Sequence, residues 1–525
     1  MYAAADRTVT EMNAEPLFRI RYFALALLTL GFLAGCAGGP VPAGDSADIP
    51  AIQTESASVT PQEDWADAVI YFVILDRFAD GDPTNNEQND PEPGGVGSFH
   101  GGDLRGLIAN LDEIAGLGAT CLWITPVQQQ IPGYVSGAGF FDWGYHGYWA
   151  DDFYAIDPRF GTEAQLKELV DQAHQRGMKV LLDVVYNHCG YDSRYIFDKG
   201  RPWLRFGSQC GNDDLTGCLS GLPDFKTENP EVREYLLGAH LGLAARTGVD
   251  GFRLDTVKHV EHDFWQLHRQ RTRAQLGEDF FLLGEVWGGD NKVMDPWFAP
   301  GEMDAGFDFG FQGSTVGFLL GRGRPIAYNR YLEMREEVRE GHFVSHYLSS
   351  HDTDGALYTL QGDRELFRLA VGLQMTAAGI PCIYYGEEVA RLGGTWPDNR
   401  SDMPWGDRAI LPGRGLERDE GMRAWYQKLI GLRREHPALR RGERKGVDFG
   451  KDHLIFHRHD PASGEHLLVA VNRGVEGAQV TFALPENWPS GPVTDLLAGM
   501  VFSPLAGKLE LEIPARGMLI LAATP

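Results

Sequence analysis

The stretch GFRLDTVKHV, Gly251 to Val260, places charged side chains in a segment that otherwise has the composition of a buried β-strand. Arg253 and Asp255 lie two residues apart, so on a strand both side chains point to the same face. Buried charges are costly unless they are paired or used. The guanidinium would hold the carboxylate ionised and oriented, and this predicts a nucleophile at Asp255.

A second carboxylate, Glu285, ends the apolar segment FFLLGEVW (280–287), beside Trp287. Burial at this position would raise its pKa, as a general acid requires. One carboxylate that must be ionised and a second that must be protonated together predict retaining glycoside hydrolysis. In that reaction one carboxylate attacks the anomeric carbon, while the other protonates the leaving oxygen and later activates water.

The elements that must position these residues alternate between short apolar segments and amphipathic helical segments such as 103–118, which predicts βαβ units and a parallel sheet. Eight such units form a (β/α)8 barrel, whose chemistry lies at the carboxyl ends of the strands. The eight candidate strands are 68–75, 119–126, 178–188, 249–255, 280–287, 303–309, 342–352 and 379–388. Polar residues lie at the ends of the third, fourth, fifth and seventh of these segments, namely Asn187, His188, Asp255, Glu285, His351 and Asp352.

Two regions depart from the barrel pattern. Residues 189–226 follow the third strand and are too long for an ordinary βα loop, so they predict a small inserted domain. After about Arg444 the helical pattern gives way to alternating strands, which predict a C-terminal antiparallel β-sandwich over 445–525. The catalytic barrel is therefore expected to span 65–444.

Short sequence blocks in this chain resemble those of the α-amylase family of glycoside hydrolases, family 13. They occur in the family's order as DVVYNH (183–188), LPDF (222–225), GFRLDTVKH (251–259), GEVW (284–287) and SSHD (349–352). The resemblance implies a barrel enzyme acting on α-glucans or maltooligosaccharides.

The same resemblance implies a role for each matching residue. Asp255 would be the nucleophile, Glu285 the acid/base, and Asp352 the carboxylate that binds sugar hydroxyls and stabilises the oxocarbenium-like transition state. His188, Arg253 and His351 would contact the sugar at the cleavage site. In GYHGYW (144–149), Tyr148 would be a stacking platform and His146 a hydrogen-bond donor.

The pair Lys258–His259 resembles that of α-1,4-acting family members, in which it meets the glucose on the leaving side of the bond. It therefore favours α-1,4-glucosidic bonds.

Calcium is the expected cofactor, because the residues that match the family's metal ligands carry hard oxygen atoms. One site is implied by Asn187, Asp224 and the main-chain carbonyl of His259. A second resembles the N-terminal calcium loop of cyclodextrin glucanotransferases, and its matching residues are Asp80, Asp82, Asn85, Asn86, Gly101 and Asp103.

Several functions stay open on the same scaffold. The first is an α-amylase-type hydrolase; the alternative is a cyclomaltodextrinase, a maltogenic amylase-like enzyme or a 4-α-glucanotransferase. Leu219 and Ser220 lie where cyclodextrin glucanotransferases place a bulky aromatic residue, which disfavours cyclisation, whereas PDNRSDMPW (397–405) resembles oligosaccharide-acting relatives. A third reading is a non-catalytic glycan-binding lipoprotein, which the three intact carboxylates disfavour.

The N-terminus predicts export. Arg19 and Arg21 precede an apolar run that ends in LAGC (33–36), which resembles a bacterial lipobox, with an ordinary signal peptide as the alternative. We expect a lipoprotein signal peptide over 1–36, lipidation of Cys36 and a flexible tether over 37–64. Ala37 at the next position favours the outer membrane, so the lipid anchor would be the chain's only membrane contact.

The charge and cysteine content are consistent with an exported, glucan-binding protein. A formal net charge of −26 disfavours nucleic acid as a partner. Cys210 and Cys218 lie close together in a polar segment, which predicts a disulfide in an oxidising compartment. Cys121, Cys189 and Cys382 lie in or beside strand-like segments, where buried free thiols are expected.

Overall fold

The computed structural model describes residues 64–523. The predicted signal peptide and, apart from Asp64, the predicted tether lie outside the described residues. Between residues 64 and 523, no helix is both long enough and apolar enough to cross a membrane.

Eight parallel strands form a closed barrel in which each strand pairs with its neighbours in the chain and the last pairs with the first. They are β1 (Ile70–Val73), β2 (Cys121–Ile124), β3 (Lys179–Val184), β4 (Gly251–Leu254), β5 (Phe281–Gly284), β6 (Ala305–Phe307), β7 (Phe343–Tyr347) and β8 (Ile380–Tyr384). Nearly all of their residues are buried, as expected for strands covered by helices outside and by side chains inside. The predicted (β/α)8 barrel is confirmed.

The helices pack around and beside these strands. They are α1 (Leu75–Phe78), α2 (Leu104–Ala109), α3 (Leu111–Leu117), α4 (Glu163–Gln175), α5 (Arg194–Asp198), α6 (Pro230–Thr247), α7 (His262–Leu276), α8 (Asn291–Phe298), α9 (Gly310–Leu319), α10 (Pro325–Arg335), α11 (Ala356–Thr359), α12 (Arg364–Met375), α13 (Glu420–Glu435) and α14 (Pro437–Arg441). Helix α4 begins with a capping box, in which the side chains of Thr162 and Gln165 each accept a hydrogen bond from the other residue's backbone N–H. Its buried side chains recur at helical spacing, so one face covers the barrel.

The segment after β3 leaves the barrel and returns at α6. It contains α5 and a short antiparallel pair, Leu204–Arg205 with Asp224–Phe225. The predicted disulfide is confirmed, because Cys210 and Cys218 are bonded, and the three predicted thiols are free and buried. Two further antiparallel pairs, Gln128–Gln130 with Ala150–Ile156 and Tyr134–Val135 with Asp142–Trp143, lie after β2.

The C-terminal strands form the predicted antiparallel sandwich. They are β9 (Glu443–Phe449), β10 (His453–Asp460), β11 (Glu465–Asn472), β12 (Ala478–Ala483), β13 (Val493–Asp495), β14 (Val501–Phe502), β15 (Lys508–Ile513) and β16 (Gly517–Ala523). Six strands form one sheet in the order β9-β10-β11-β16-β13-β14, and β12 pairs with β15 in the other. Alternate residues of β10 serve two cores: Leu454 and Phe456 join the barrel core, whereas Ile455 joins the core between the two sheets.

Candidate active site

The carboxyl ends of the barrel strands surround a cavity of about 970 Å³. Asp255 follows β4 directly, Glu285 follows β5 directly, and Asp352 lies in the loop after β7. All three carboxylates line the cavity. The predicted sugar-binding residues His146, Tyr148, His188, Lys258, His259 and His351 line it as well.

Arg253 lies behind the lining and is only 2% exposed. Its Nη1 donates to Asp255 Oδ1 at 2.8 Å, and its Nη2 lies 2.8 Å from Glu285 Oε1. Nη1 also donates to Asp183 Oδ1 at 3.1 Å. The predicted Arg253–Asp255 contact is therefore present, and the same guanidinium also joins the second carboxylate.

Glu285 is buried at the junction of these groups. Burial raises its pKa to about 8, and the negative charges of Asp255 and Asp352 act in the same direction against the opposing effect of Arg253. The backbone N–H of Thr256 donates to Glu285 Oε2 at 2.9 Å. At neutral pH this environment keeps a proton on Glu285, as a general acid requires.

Thr256 turns the chain sharply after Asp255. Its φ of 48° lies in the left-handed region, which is unfavourable for a β-branched residue. Such strain persists where surrounding structure enforces it, and it concentrates at functional sites. The turn lets the N–H of Thr256 donate to the Glu285 carboxylate and the N–H of Val257 donate to the Glu285 main-chain carbonyl at 3.0 Å.

Asp352 is held from two sides. His351 Nε2 lies 3.0 Å from one carboxylate oxygen, and Arg400 Nη2 donates to the other at 3.1 Å. Burial acts to raise the pKa of Asp352, but His351, Arg400 and Arg253 together bring it below its ordinary value. Burial also lowers the pKa of His351 to about 3, so this ring is neutral at pH 7 and Arg400 is the charged partner of Asp352.

Tyr148 connects the cavity wall to the charged cluster. Its hydroxyl donates to Asp183 Oδ2 at 2.7 Å, and its ring stacks on that of His351 with centroids 5.3 Å apart. Burial lowers the pKa of His146 well below its ordinary value and lowers that of His188. Three neutral imidazoles therefore face the cavity, suited to hydrogen bonding with sugar hydroxyls rather than to binding anions.

Lys258 and His259 lie in a 3-10 turn, Val257–His259, at the edge of the cavity. His259 Nδ1 lies 2.7 Å from the carbonyl oxygen of Asp214, in the disulfide-closed segment. Since a carbonyl can only accept, Nδ1 carries the hydrogen, and Nε2 is the ring nitrogen available to a ligand.

Several residues of this site have no predicted role from the sequence. Asp183 is fully buried and accepts from Arg253, Tyr148 and Trp123, the last through Nε1 at 3.1 Å. The sequence feature that indicates a role for Asp183 is an acidic residue inside the otherwise apolar strand KVLLDV. Arg400 lies in the segment PDNRSDMPW (397–405), where no sequence pattern indicates that Asp352 is its partner.

The remaining residues that line the cavity are Val135, Gly137, Ala138, Asp142, Trp149, Tyr191, Leu219, Ser220, Leu222, Thr256, Trp287 and Trp396.

The first predicted calcium site includes two buried side chains that carry oxygen atoms. Asn187 and Asp224 are both buried, and Asp224 Oδ1 has no hydrogen-bond partner. Burial raises the pKa of Asp224 to about 7, against the opposing effect of Arg205. A buried carboxylate oxygen without a donor is costly, and a bound cation would remove that cost.

The second predicted site has a similar set of oxygen atoms. Oδ1 of Asp80, Asn85 and Asn86 are all buried without a hydrogen-bond partner. A Cβ at Gly101 would lie 2.7 Å from Asn86 Oδ1, so the backbone approaches this oxygen closely. The carboxylate of Asp103 accepts from Asn85 Nδ2 at 3.1 Å and also caps α2.

Asp82 differs from the other members of that set. Its Oδ1 accepts both the hydroxyl hydrogen and the N–H of Thr84, so its carboxylate is engaged in a local turn. Within residues 64–523, no three His, Cys, Asp or Glu side chains group as metal ligands. A cation at either place would therefore depend on amide and main-chain oxygens as well as carboxylates.

Comparison with known proteins agrees with this geometry. The family described as "Alpha amylase, catalytic domain" matches residues 72–202 and 197–404. Neopullulanase 2 of Thermoactinomyces vulgaris is 32% identical over 500 residues, covering 89% of this chain and 80% of the relative. A cyclomaltodextrinase of Geobacillus thermopakistaniensis is 30% identical over 489 residues, covering 87% of this chain and 77% of the relative. The crystal structure of an Anoxybacillus α-amylase aligns with a TM-score of 0.77 and 31% identity, covering 88% of this chain and 99% of that one.

A (β/α)8 barrel with paired buried carboxylates at its strand ends and neutral polar rings around them defines a glycoside hydrolase. The chain belongs to the α-amylase family, glycoside hydrolase family 13, and is an α-glucan hydrolase.

Proposed function

We propose that this protein hydrolyses α-1,4-glucosidic bonds of starch-derived glucans and maltooligosaccharides with retention of anomeric configuration. The observation that carries the proposal is the bridging of Asp255 and Glu285 by the guanidinium of Arg253, with 2.8 Å to each. The shared guanidinium brings the two carboxylates to the same end of the cavity. The proposed covalent intermediate on Asp255 requires them to lie about 5–5.5 Å apart, as in retaining enzymes.

The two carboxylates would divide the reaction between them. Asp255, paired with Arg253, attacks the anomeric carbon as the bond to the leaving oxygen breaks and Glu285 delivers its proton to that oxygen. In the second half, the Glu285 carboxylate takes a proton from water, whose oxygen attacks the anomeric carbon and releases Asp255. The enzyme returns to its starting protonation state.

Asp352 and the neutral rings would bind the reacting sugar. Asp352 accepts hydrogen bonds from hydroxyls and provides negative charge near the oxocarbenium-like transition state, where charge stabilisation has its largest effect on rate. Tyr148 offers an aromatic face to the apolar side of the sugar. His146, His188 and His351 exchange hydrogen bonds with hydroxyls without introducing positive charge.

A cyclomaltodextrinase, a maltogenic amylase-like enzyme or a 4-α-glucanotransferase is the second candidate, since each uses the same intermediate. The names of the two relatives, neopullulanase and cyclomaltodextrinase, favour it. Leu219 and Ser220 in the cavity wall offer no aromatic platform there, which is a reason to prefer hydrolysis over cyclisation. The candidates differ in whether water or a sugar hydroxyl intercepts the glycosyl-enzyme.

The test is a time course on maltoheptaose and on β-cyclodextrin, with the anomers of the first products measured by proton NMR. Short α-anomeric products from the linear substrate would support the hydrolase, whereas rapid ring opening or products longer than the substrate would support the second candidate. Initial β-anomers would refute the retaining mechanism. Asp255→Asn should abolish turnover while oligosaccharide binding stays measurable.

We further propose that calcium occupies both oxygen-lined places. Asn187, Asp224 and the carbonyl of His259 would hold one ion, and Asp80, Asp82, Asn85, Asn86, Gly101 and Asp103 would hold the other. Calcium would supply positive charge that joins the inserted segment to the barrel in the first case and orders the loop after α1 in the second.

Chelation should therefore lower the melting temperature, and added calcium should restore it. Asp224→Ala and Asn86→Ala should each reduce this response. Asp171→Ala is the control, because Asp171 is an exposed carboxylate that pairs with Lys167 on α4, outside both predicted sites. A melting temperature that prolonged chelation leaves unchanged would refute the calcium proposal.

We propose that the chain is exported and anchored at the outer membrane through lipid on Cys36. The support is the sequence LAGC followed by Ala37. Incorporation of a labelled lipid precursor should be lost in Cys36→Ala and retained in the wild type. Equal labelling of both chains would refute the anchor site.

A further inference from the structure

The disulfide closes residues 210–218 into a compact unit, which we call the Cys loop. Gly211 N–H donates to the Thr216 carbonyl at 2.8 Å, and Gly217 N–H donates to the Asp213 carbonyl at 2.9 Å. The Asp213 carboxylate accepts from the N–H groups of Leu215 and Thr216 and from the Thr216 hydroxyl. The Cys loop is thus ordered by its own bonds as well as by the disulfide.

The Cys loop reaches the cavity in two ways. The carbonyl of Asp214 accepts from His259 Nδ1 at 2.7 Å, which fixes the orientation of that ring. Directly after Cys218, Leu219 and Ser220 form part of the cavity wall. Tyr191 donates through its hydroxyl to the Ser220 carbonyl at 2.7 Å.

The wall is held in a conformation that a free loop would rarely adopt. Ser220 has a φ of 53°, in the left-handed region, and Gly221 follows with a φ of 80°. A non-glycine residue in this region must be held by its surroundings. The disulfide at Cys218 and the Tyr191 hydrogen bond provide that restraint on either side of Leu219.

Through His259, the Cys loop contacts a turn that is hydrogen-bonded to Glu285. The turn that carries Lys258 and His259 begins with the two N–H groups, of Thr256 and Val257, that bond to Glu285. If Glu285 protonates the leaving oxygen, as the proposed function requires, the sugar beyond that oxygen lies toward Lys258 and His259.

We propose that the Cys loop is a positioning element for the leaving-side sugar: it orients His259 through the Asp214 carbonyl and holds the Leu219–Ser220 wall. The disulfide therefore contributes to substrate binding as well as to stability. This proposal rests on the assignment of Glu285 as the acid.

The experiment compares two substrates on the oxidised enzyme, on the enzyme reduced with dithiothreitol, and on a Cys210→Ser/Cys218→Ser variant. Reduction adds two electrons and two protons to the disulfide, while the dithiol becomes a cyclic disulfide. Maltoheptaose places sugars on the leaving side; p-nitrophenyl α-maltoside has a leaving group without hydroxyls. The other three cysteines in the described chain are free and buried, and dithiothreitol on the double variant controls for effects elsewhere.

We expect loss of the disulfide to raise KM for maltoheptaose about 3- to 10-fold, the effect of losing one neutral hydrogen bond. The kinetics on the aryl maltoside should change by less than about 2-fold, since its aryl group makes no hydrogen bond with His259.

Unchanged kinetics on both substrates would overturn the proposal. An equal loss on both substrates would also overturn it, because that pattern indicates general destabilisation. If the oxidised enzyme acts on neither substrate, the hydrolase assignment fails first and the proposal fails with it.

Discussion

Replacement of Arg400 should reveal how much the positioning of Asp352 contributes to turnover. Arg400 contacts the loop after β7 twice: Nη2 donates to Asp352 Oδ1 at 3.1 Å, and Nε donates to the His351 carbonyl at 2.9 Å. Because His351 is neutral at pH 7, Arg400 is the cation that directly holds Asp352. Arg400→Met removes both bonds and the charge while keeping an aliphatic side chain in the wall.

The magnitude follows from the bond to the charged group. A hydrogen bond to a charged partner contributes about 1.5–3 kcal/mol. Asp352 is 29% exposed, so solvent screening places the effect toward the lower end of that range. Since about 1.4 kcal/mol corresponds to a tenfold change in rate, kcat/KM should fall by roughly 10- to 30-fold. Arg400→Lys keeps the charge but loses the two-pronged geometry, so its activity should be intermediate.

The assay is steady-state hydrolysis of maltoheptaose by the wild type and both variants, with unfolding by urea to confirm that each variant is folded. Arg408→Met is the matched control, because Arg408 lies in the same region of the chain, pairs with Glu113 and does not line the cavity. The control should stay within about 2-fold of the wild type, as most surface substitutions do. Wild-type kcat/KM in Arg400→Met would refute the view that this residue positions Asp352.

Three further outcomes are expected. The kcat/KM for maltoheptaose should fall about tenfold per pH unit above about 8, because burial raises the pKa of Glu285 to about 8 and the acid must be protonated; a rate that stays constant to pH 10 would contradict this. Burial also raises the pKa of Glu387 to about 8, compared with an unfolded-state pKa of about 4.3. Between these two pH values the native state binds one proton more than the unfolded state. The free energy of unfolding should therefore fall by about 1.4 kcal/mol for each unit of rising pH. In Glu387→Gln that contribution should vanish from urea unfolding at pH 5, 6 and 7, and identical slopes in both proteins would be the contrary result. Tyr148→Phe loses the hydroxyl bond to Asp183 but keeps the stacked ring, so its free energy of unfolding should drop by about 1–3 kcal/mol, whereas unchanged urea unfolding would show that the bond does not stabilise the fold.

The barrel could be predicted from the sequence because its signals are local. Each of the eight barrel strands lies inside a predicted segment, since short apolar runs separated by helical periodicity identify parallel strands. Asp255 and Glu285 could be predicted for the same reason, as each directly follows such a run. The segment 103–118 is less regular than its periodicity suggests: it divides into α2 and α3 at Asn110. The amide of Asn110 donates to the Gly106 carbonyl, a local bond that competes with the helix.

Contacts between distant parts of the chain could not be predicted in the same way. Arg400 and Asp352 are separated by 48 residues, and His259 and the Asp214 carbonyl by 45. Neither pair has a spacing or periodicity that links its members. The division of the C-terminal strands into sheets of six and two is similarly invisible, because alternation indicates which residues face inward but does not specify which strands pair.

The charged residues Arg253 and Asp255, in and directly after the strand GFRL, are explained by the balance of positive and negative charge around Arg253. This one buried cation contacts three acidic side chains, Asp183, Asp255 and Glu285, so full ionisation would leave an excess of negative charge in a site of low polarity. Asp183 accepts from Arg253, Tyr148 and Trp123, and Asp255 has the short bond to Nη1. Glu285 opens onto the cavity, and burial together with the negative charges of Asp255 and Asp352 raises its pKa to about 8, so a proton on Glu285 relieves this imbalance at neutral pH. The same excess of carboxylates that makes this cluster expensive to bury therefore provides the protonated acid that the proposed reaction needs.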